Sequence, residues 1–152
     1  MPIDLTYDML GSRLRSIGGV QITYDRLGSR PRTVGQWSLE HDRLGSRLRS
    51  IGGVPIEYDR MGSRPRTLGQ MTLEYDRLGS RLRRVGPHEL TYDTLGSRVH
   101  TIGPIGVSYD HLGTRPSQLH LPEPHTSLTD ELLLVVYLVL YLEAERRRQA
   151  SA

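Results

Sequence analysis

Apolar and polar positions alternate with a period of two through most of this chain, and the alternation is reset at fixed intervals. In one stretch Val20, Ile22 and Tyr24 alternate with Gln21, Thr23 and Asp25; after a short interruption Ser29, Pro31 and Thr33 alternate with Arg30 and Arg32. Successive side chains of a strand point to opposite faces, so the pattern predicts two strands, each with one charged or polar face. Asp25-Arg26-Leu27-Gly28 predicts a turn between them, because Asp can bond the backbone two residues on and Gly accepts a positive φ. A second turn is predicted at Val34-Gly35.

This strand, turn, strand, turn unit recurs seven times, from about residue 3 to 119. Tyr-Asp stands at Tyr7, Tyr24, Tyr58, Tyr75, Tyr92 and Tyr109, and His41-Asp42 takes the remaining place, each 17 residues from the last. Three positions are the same in every copy: Asp8 to Asp110, Gly11 to Gly113 and Arg13 to Arg115. A weaker period of 34 lies over the first: LRSIGGV stands at 14–20 and 48–54, PRTVGQ at 31–36 and PRTLGQ at 65–70.

Two architectures fit such a unit. In a β-solenoid each unit is one coil and the coils stack in parallel; in a β-meander each unit is an antiparallel hairpin. Leu27 and its equivalents (Leu10, Leu44, Met61, Leu78, Leu95, Leu112) are apolar although they fall in a turn, and so is the Val34 set. Inward-pointing corners of a solenoid need this and hairpin tips in water do not. A meander of about fourteen strands would also need a second layer, for which the chain has no evident material. Against this, antiparallel pairing would set Glu40 beside Arg47, Glu57 beside Arg64 and Glu74 beside Arg81, which is favourable cross-strand charge. The fold expected is an all-β repeat array over 1–119, a β-solenoid with the antiparallel meander as its alternative.

Tyr-Asp-x-x-Gly followed closely by Arg resembles the YD repeats of Rhs-type bacterial proteins, whose sheets coil into shells. The resemblance spans residues 7–115 on four positions per unit. The family's unit is longer and sets Arg directly after Gly, where Ser or Thr intervenes here. Strand-arc-strand units of constant length also resemble curli-type repeats, although the Gln and Asn ladders of those fibres are missing. Neither resemblance implies a particular activity.

After residue 119 the sequence changes character. A Pro-rich linker is expected over 120–127 and a C-terminal hydrophobic helix over 128–149. Ser127-Leu128-Thr129-Asp130-Glu131 supplies hydroxyl caps and acids for a first turn. Leu132 to Leu142 then carries no polar group except two Tyr hydroxyls, and Arg146-Arg147-Arg148 suits a helix C-terminus. As a helix the apolar run is about 16 Å long, too short to cross a bilayer core of about 30 Å alone. It is apolar on every side, so it must be covered on every side.

Composition narrows the chemistry. The chain has no Cys, which removes disulfides, thiolate metal sites and Cys nucleophiles. All 20 basic residues are Arg, which removes Schiff-base chemistry and a Lys-bearing phosphate loop. The joint absence of Lys, Asn and Phe suits a GC-rich bacterial genome, and the opening MPIDLTYD, without a basic start or apolar core, suits a cytoplasmic protein. The invariant Asp and Arg occur in seven equivalent copies, where an active site needs one constellation. They are expected to cap turns and form surface ion pairs, and neither an enzyme nor a cofactor is expected. His120, Glu123 and His125 are the one cluster with ligand-type side chains, at uneven spacing around Pro122 and Pro124; no metal site is expected there.

Function is expected to lie in assembly. One end of a narrow array covers only one side of the helix, so Leu132, Leu133, Val135, Val136, Val139, Leu140 and Leu142 are the expected contacts to another copy of the chain. The N-terminal unit starts without a cap and would leave an open strand edge. The leading expectation is therefore a non-enzymatic structural protein that forms homo-oligomers or filaments. A second is a polyanion-binding or nucleic-acid-binding module using the column Arg13, Arg30, Arg47, Arg64, Arg81, Arg98 and Arg115, with Arg15, Arg32, Arg49, Arg66 and Arg83 as a neighbouring column. It stands behind assembly because residues 1–121 hold 17 Arg against 12 acids, and no aromatic residues interleave the Arg face. A third is a membrane-associated effector whose tails insert together.

Overall fold

The computed structural model describes residues 2–8, 13–26, 30–42, 47–60, 64–77, 81–93, 98–110, 115–123 and 127–151, with helix side chains as far as Arg147. Among these residues are fourteen strands and one helix. The strands are β1 (Pro2–Tyr7), β2 (Leu14–Ile17), β3 (Val20–Tyr24), β4 (Pro31–Val34), β5 (Trp37–His41), β6 (Leu48–Ile51), β7 (Val54–Tyr58), β8 (Pro65–Leu68), β9 (Met71–Tyr75), β10 (Leu82–Val85), β11 (His88–Tyr92), β12 (Val99–Ile102), β13 (Ile105–Tyr109) and β14 (Pro116–His120). The helix, α1, runs Asp130–Ser151, two residues later than the sequence suggested.

Each strand pairs antiparallel with its neighbours in the chain, and β1 pairs with β14 through Pro2↔His120, Ile3↔Leu119 and Asp4↔Gln118. The array is a closed barrel. Both the expected solenoid and the expected open N-terminal edge are thereby corrected. Closure abolishes the edge and makes the sheet its own opposing layer, the element that a flat meander lacked. The register supplies the necessary stagger: Leu5 lies opposite Ile17 and Ile17 opposite Val20, two residues short of Ile22, the equivalent of Leu5. Repeated in every unit, that offset tilts the strands and curls the sheet shut.

Two kinds of turn join the strands and define the two ends of the barrel. The tight turns are two-residue loops with Gly first. At Gly86-Pro87 the Gly has φ 57°, and Pro, locked near −65°, fits the second place of a type II′ turn. At Gly52-Gly53 both residues have positive φ, as in type I′. A Cβ on Gly52 would come within 2.7 Å of the Trp37 ring, so space as well as φ demands Gly there. At the opposite end the longer Asp-to-Arg turns close with a backbone bond such as Asp42 N to Arg47 O at 2.9 Å. The Leu27 set and the invariant Gly11 to Gly113 set, read as residues of these turns, lie outside the described residues.

The period-two alternation holds in the first strand of each unit: Ile22 is buried while Gln21 and Thr23 are exposed. In the second strand a register shift between Thr23 and Tyr24 interrupts it, so that Pro31 and Val34 face inward and Arg32 outward. Thr33 shares the outer face with Thr23, to which it bonds at 2.6 Å; the expected grouping of Pro31 with Thr33 is corrected by this bulge. The Val34 set is apolar because it ends an inward-facing strand, not because it forms a solenoid corner. The register also moves the expected charge pairs. Glu40 lies opposite Ser50, Glu57 opposite Thr67, and Glu74 opposite Arg84, three residues beyond the partners expected.

A barrel of fourteen strands is wider than its own side chains can fill. The helix fills it. Leu133 to Leu140 are eight consecutive residues, each between 0% and 9% exposed within a single chain, and they form one core with the inward-facing residues of the strands. A helix on the outer wall would leave one stripe in water; only a lumen covers every side. Thr129 caps the N-terminus, its Oγ1 accepting from Leu132 N at 3.2 Å. Glu131 bonds His88 beside the Gly86 turn at 2.6 Å, which places the helix N-terminus at the tight-turn end. The other end reaches the long-turn rim, where Glu143, Arg146 and Arg147 act electrostatically on Tyr92, Tyr109 and Tyr7.

Candidate functional site

The invariant residues of the repeat meet at the long-turn rim. In each unit the Asp carboxylate receives the Nε of the Arg five residues on, at 2.6 to 3.3 Å, from Asp8–Arg13 to Asp110–Arg115. That guanidinium lies over the Tyr ring of the next unit: Arg13 over Tyr24 at 4.6 Å, and likewise Arg47 over Tyr58, Arg64 over Tyr75, Arg81 over Tyr92 and Arg98 over Tyr109. The Tyr hydroxyl then donates to the carbonyl ten residues back, as Tyr24 to Leu14 at 2.8 Å and Tyr58 to Leu48 at 2.6 Å. This bond falls where consecutive units splay: β2 and β3 are paired only at Ser16↔Gln21 and Ile17↔Val20, next to the tight turn. The phenol thus takes over where the ladder stops.

The ring closes in the same geometry. Tyr7 donates to Pro116 O at 2.7 Å and Arg115 lies over the Tyr7 ring at 4.4 Å, so the last unit clasps the first as each clasps its successor. Burial pushes the phenols of Tyr7, Tyr58, Tyr92 and Tyr109 up to about 12, against the opposing pull of nearby Arg charges, and so keeps them neutral donors. Planar, permanently charged Arg suits a position that must bind a carboxylate edge-on and cover a ring. The sequence signalled the Asp and Arg roles. The Tyr role was signalled only by the shared 17-residue spacing, which does not show that a Tyr reaches back into the preceding unit.

The column Arg13, Arg30, Arg47, Arg64, Arg81, Arg98 and Arg115 is therefore this rim, and every member is already ion-paired. The neighbouring column is different. Arg15, Arg32, Arg49, Arg66 and Arg83 point outward from the even strands of units 1 to 5, are exposed, and enter no ion pair among the described residues. Units 6 and 7 carry His100 and Ser117 in their place, so this arginine wall is one-sided. Glu40, Glu57 and Glu74 share the outer face and are engaged by Ser50 at 2.9 Å, Thr67 at 3.5 Å and Arg84 at 3.8 Å. With polar residues outside and apolar ones inside, the wall is the inverse of a membrane-spanning barrel. No described helix is long and apolar enough to cross a membrane.

The remaining sequence candidates lie apart. Leu133, Val135, Val136, Val139 and Leu140 are buried in the lumen, and Leu132 and Leu142 pack at its two mouths. The cover expected from a second copy comes from the chain's own barrel. His120 Nε2 is bonded to Ser108 Oγ at 2.6 Å, Glu123 is exposed, and His125 lies outside the described residues. Among the described residues no group of three or more ligand-type side chains could hold a metal ion. A cleft of about 390 Å³ opens in the wall where β12 and β13 splay, lined by Asp93, Arg98, His100, Ser108, Tyr109 and Asp110 with Val99 and Val107. Its Arg98 is already held by Asp93 at 2.7 Å and covers Tyr109. No protein-family model, curated protein or solved structure matches this chain.

Proposed function

We propose that this protein is a non-enzymatic binding module that holds a polyanion against its outer arginine wall. The observation that carries the reading is the contrast between the two Arg columns: the rim is saturated with Asp, whereas Arg15, Arg32, Arg49, Arg66 and Arg83 stand exposed without a carboxylate partner among the described residues. Equivalent positions two strands apart are separated by about 10 Å, which spreads five guanidinium forks along one flank. Such forks match phosphate or sulfate oxygens better than a point charge does. The formal charge of +3 favours the same class of partner. Self-assembly or membrane insertion through the helix would first require drawing it out of the lumen, losing about 1.5–3 kcal/mol for each large side chain exposed. The wall, not the helix, is thus the surface offered to a partner.

The test is salt-dependent binding of a fluorescently labelled single-stranded oligonucleotide, with heparin as competitor. Affinity is expected to fall steeply between 50 and 200 mM salt. The triple substitution Arg32→Gln, Arg49→Gln and Arg66→Gln should reduce the slope of log affinity against log salt by about 2, at about 0.7 per lost contact to a single strand. Absence of binding at 50 mM salt, or a triple variant with the parent's slope, would overturn the proposal.

A further inference from the structure

The Tyr clasp is broken once, at His41. Every other junction between consecutive units carries a Tyr hydroxyl on a carbonyl of the preceding unit and an Arg over the ring. Between β4 and β5 the clasping residue is His41. Its Nε2 is shielded from solvent and has no hydrogen-bond partner among the described residues. The ladder there consists of Thr33↔Ser38 and Val34↔Trp37, and among the described residues no side-chain bond equivalent to the phenol's takes over from it toward the rim. Arg30, the rim arginine whose charge acts on His41, has a side chain 46% exposed, the highest value among the seven rim arginines.

We propose that the β4–β5 junction is a built-in opening seam of the barrel, and that protonation of His41 loosens it. The seam follows from the missing phenol bond. Its response to acid follows from the neighbours: Arg30 and Asp25 act on His41 from the turn before β4, and Asp42 adjoins it in the chain. Burial, and then the Arg30 charge, hold the imidazole below its ordinary value of 6.5, with Asp25 and Asp42 opposing. The folded chain therefore takes up the proton less readily than the unfolded one. The stability due to neutral His41 is complete above about pH 6.5 and is lost as the pH falls below it. The opposite order would require a His held above 6.5.

Hydrogen exchange read by mass spectrometry on the whole chain tests this, with rates corrected for the intrinsic effect of pH. At pH 7.5 the amides of 37–41 should be less protected than those of 71–75, their equivalents two units on, by roughly the factor of 5–10 that one hydrogen bond carries. At pH 5 the difference should widen. His41→Tyr should abolish both the deficit and its pH dependence. Tyr58→His should create a second acid-labile junction between β6 and β7 while leaving the first in place. Equal protection of the two segments in the parent, an acid response that persists in His41→Tyr, or no new seam in Tyr58→His would each overturn the proposal.

Discussion

Replacing Val136 with Glu is expected to unfold the barrel. Val136 is 0% exposed, in the middle of the helical run that forms one core with the inward-facing strand residues. A carboxylate placed there would be buried among apolar side chains, and an uncompensated buried charge costs several kcal/mol. Against a typical total of about 5–15 kcal/mol, that is a large fraction of the stability. Circular dichroism and thermal melting should show loss of the β signal, or a transition lowered by 10 °C or more, while Val136→Ile stays within a few degrees of the parent. A helix used as an interface between copies behaves differently: the same substitution would reduce the mass and leave the β signal intact.

Deleting one whole unit should be equally damaging. Removal of residues 41–57 joins Glu40 to Tyr58 and preserves every remaining turn and the unit pattern. It even replaces His41 by Tyr58, so any loss cannot be laid to a weakened clasp. What it changes is circumference. Two of fourteen strands are a seventh of the wall, and the lumen narrows in proportion around a helix whose width with side chains stays at about 10–12 Å. A packed core does not absorb such a contraction: the side chains between wall and helix must overlap, or the helix must be expelled. The expected product is unfolded, or melts at least 10 °C below the parent. An open stack of coils would lose one coil and remain folded.

Much of this fold was legible in the chain. The 17-residue period, the strand positions, the Gly turns and the capped helix all follow from spacing and residue type, because each is decided within a few residues. Closure was not legible. That Asp4 pairs with Gln118 depends on a two-residue stagger accumulated over seven units, and no local stretch records the sum. The apolar Val34 set suggested a solenoid corner because its true partner, the helix, lies far away in sequence. The all-round apolar run Leu132–Leu142 did signal that a complete cover was needed; without closure, a second copy was the only source in sight. At the rim, the Asp and Arg of each unit were readable as a turn cap and an ion pair. The wall of Arg15, Arg32, Arg49, Arg66 and Arg83 looked equivalent to the rim column, since alternation places both on one face. The bulge and the Asp partners separate them.

If one chain closes on itself around its own helix, a covalent bond can be formed across the closing pair of strands. Asp4 and Gln118 are cross-strand partners on the outer wall, with Gln118 Nε2 donating to Asp4 Oδ1 at 2.9 Å. Antiparallel partners have Cα atoms about 4.5–5.5 Å apart, within the range a disulfide spans. The chain has no other Cys to compete. The double variant Asp4→Cys, Gln118→Cys, oxidised at low concentration, should form an intramolecular disulfide almost completely, in a species whose mass by light scattering is that of one chain. Two free thiols under the same conditions, or a product linked only between chains, would contradict the closed barrel.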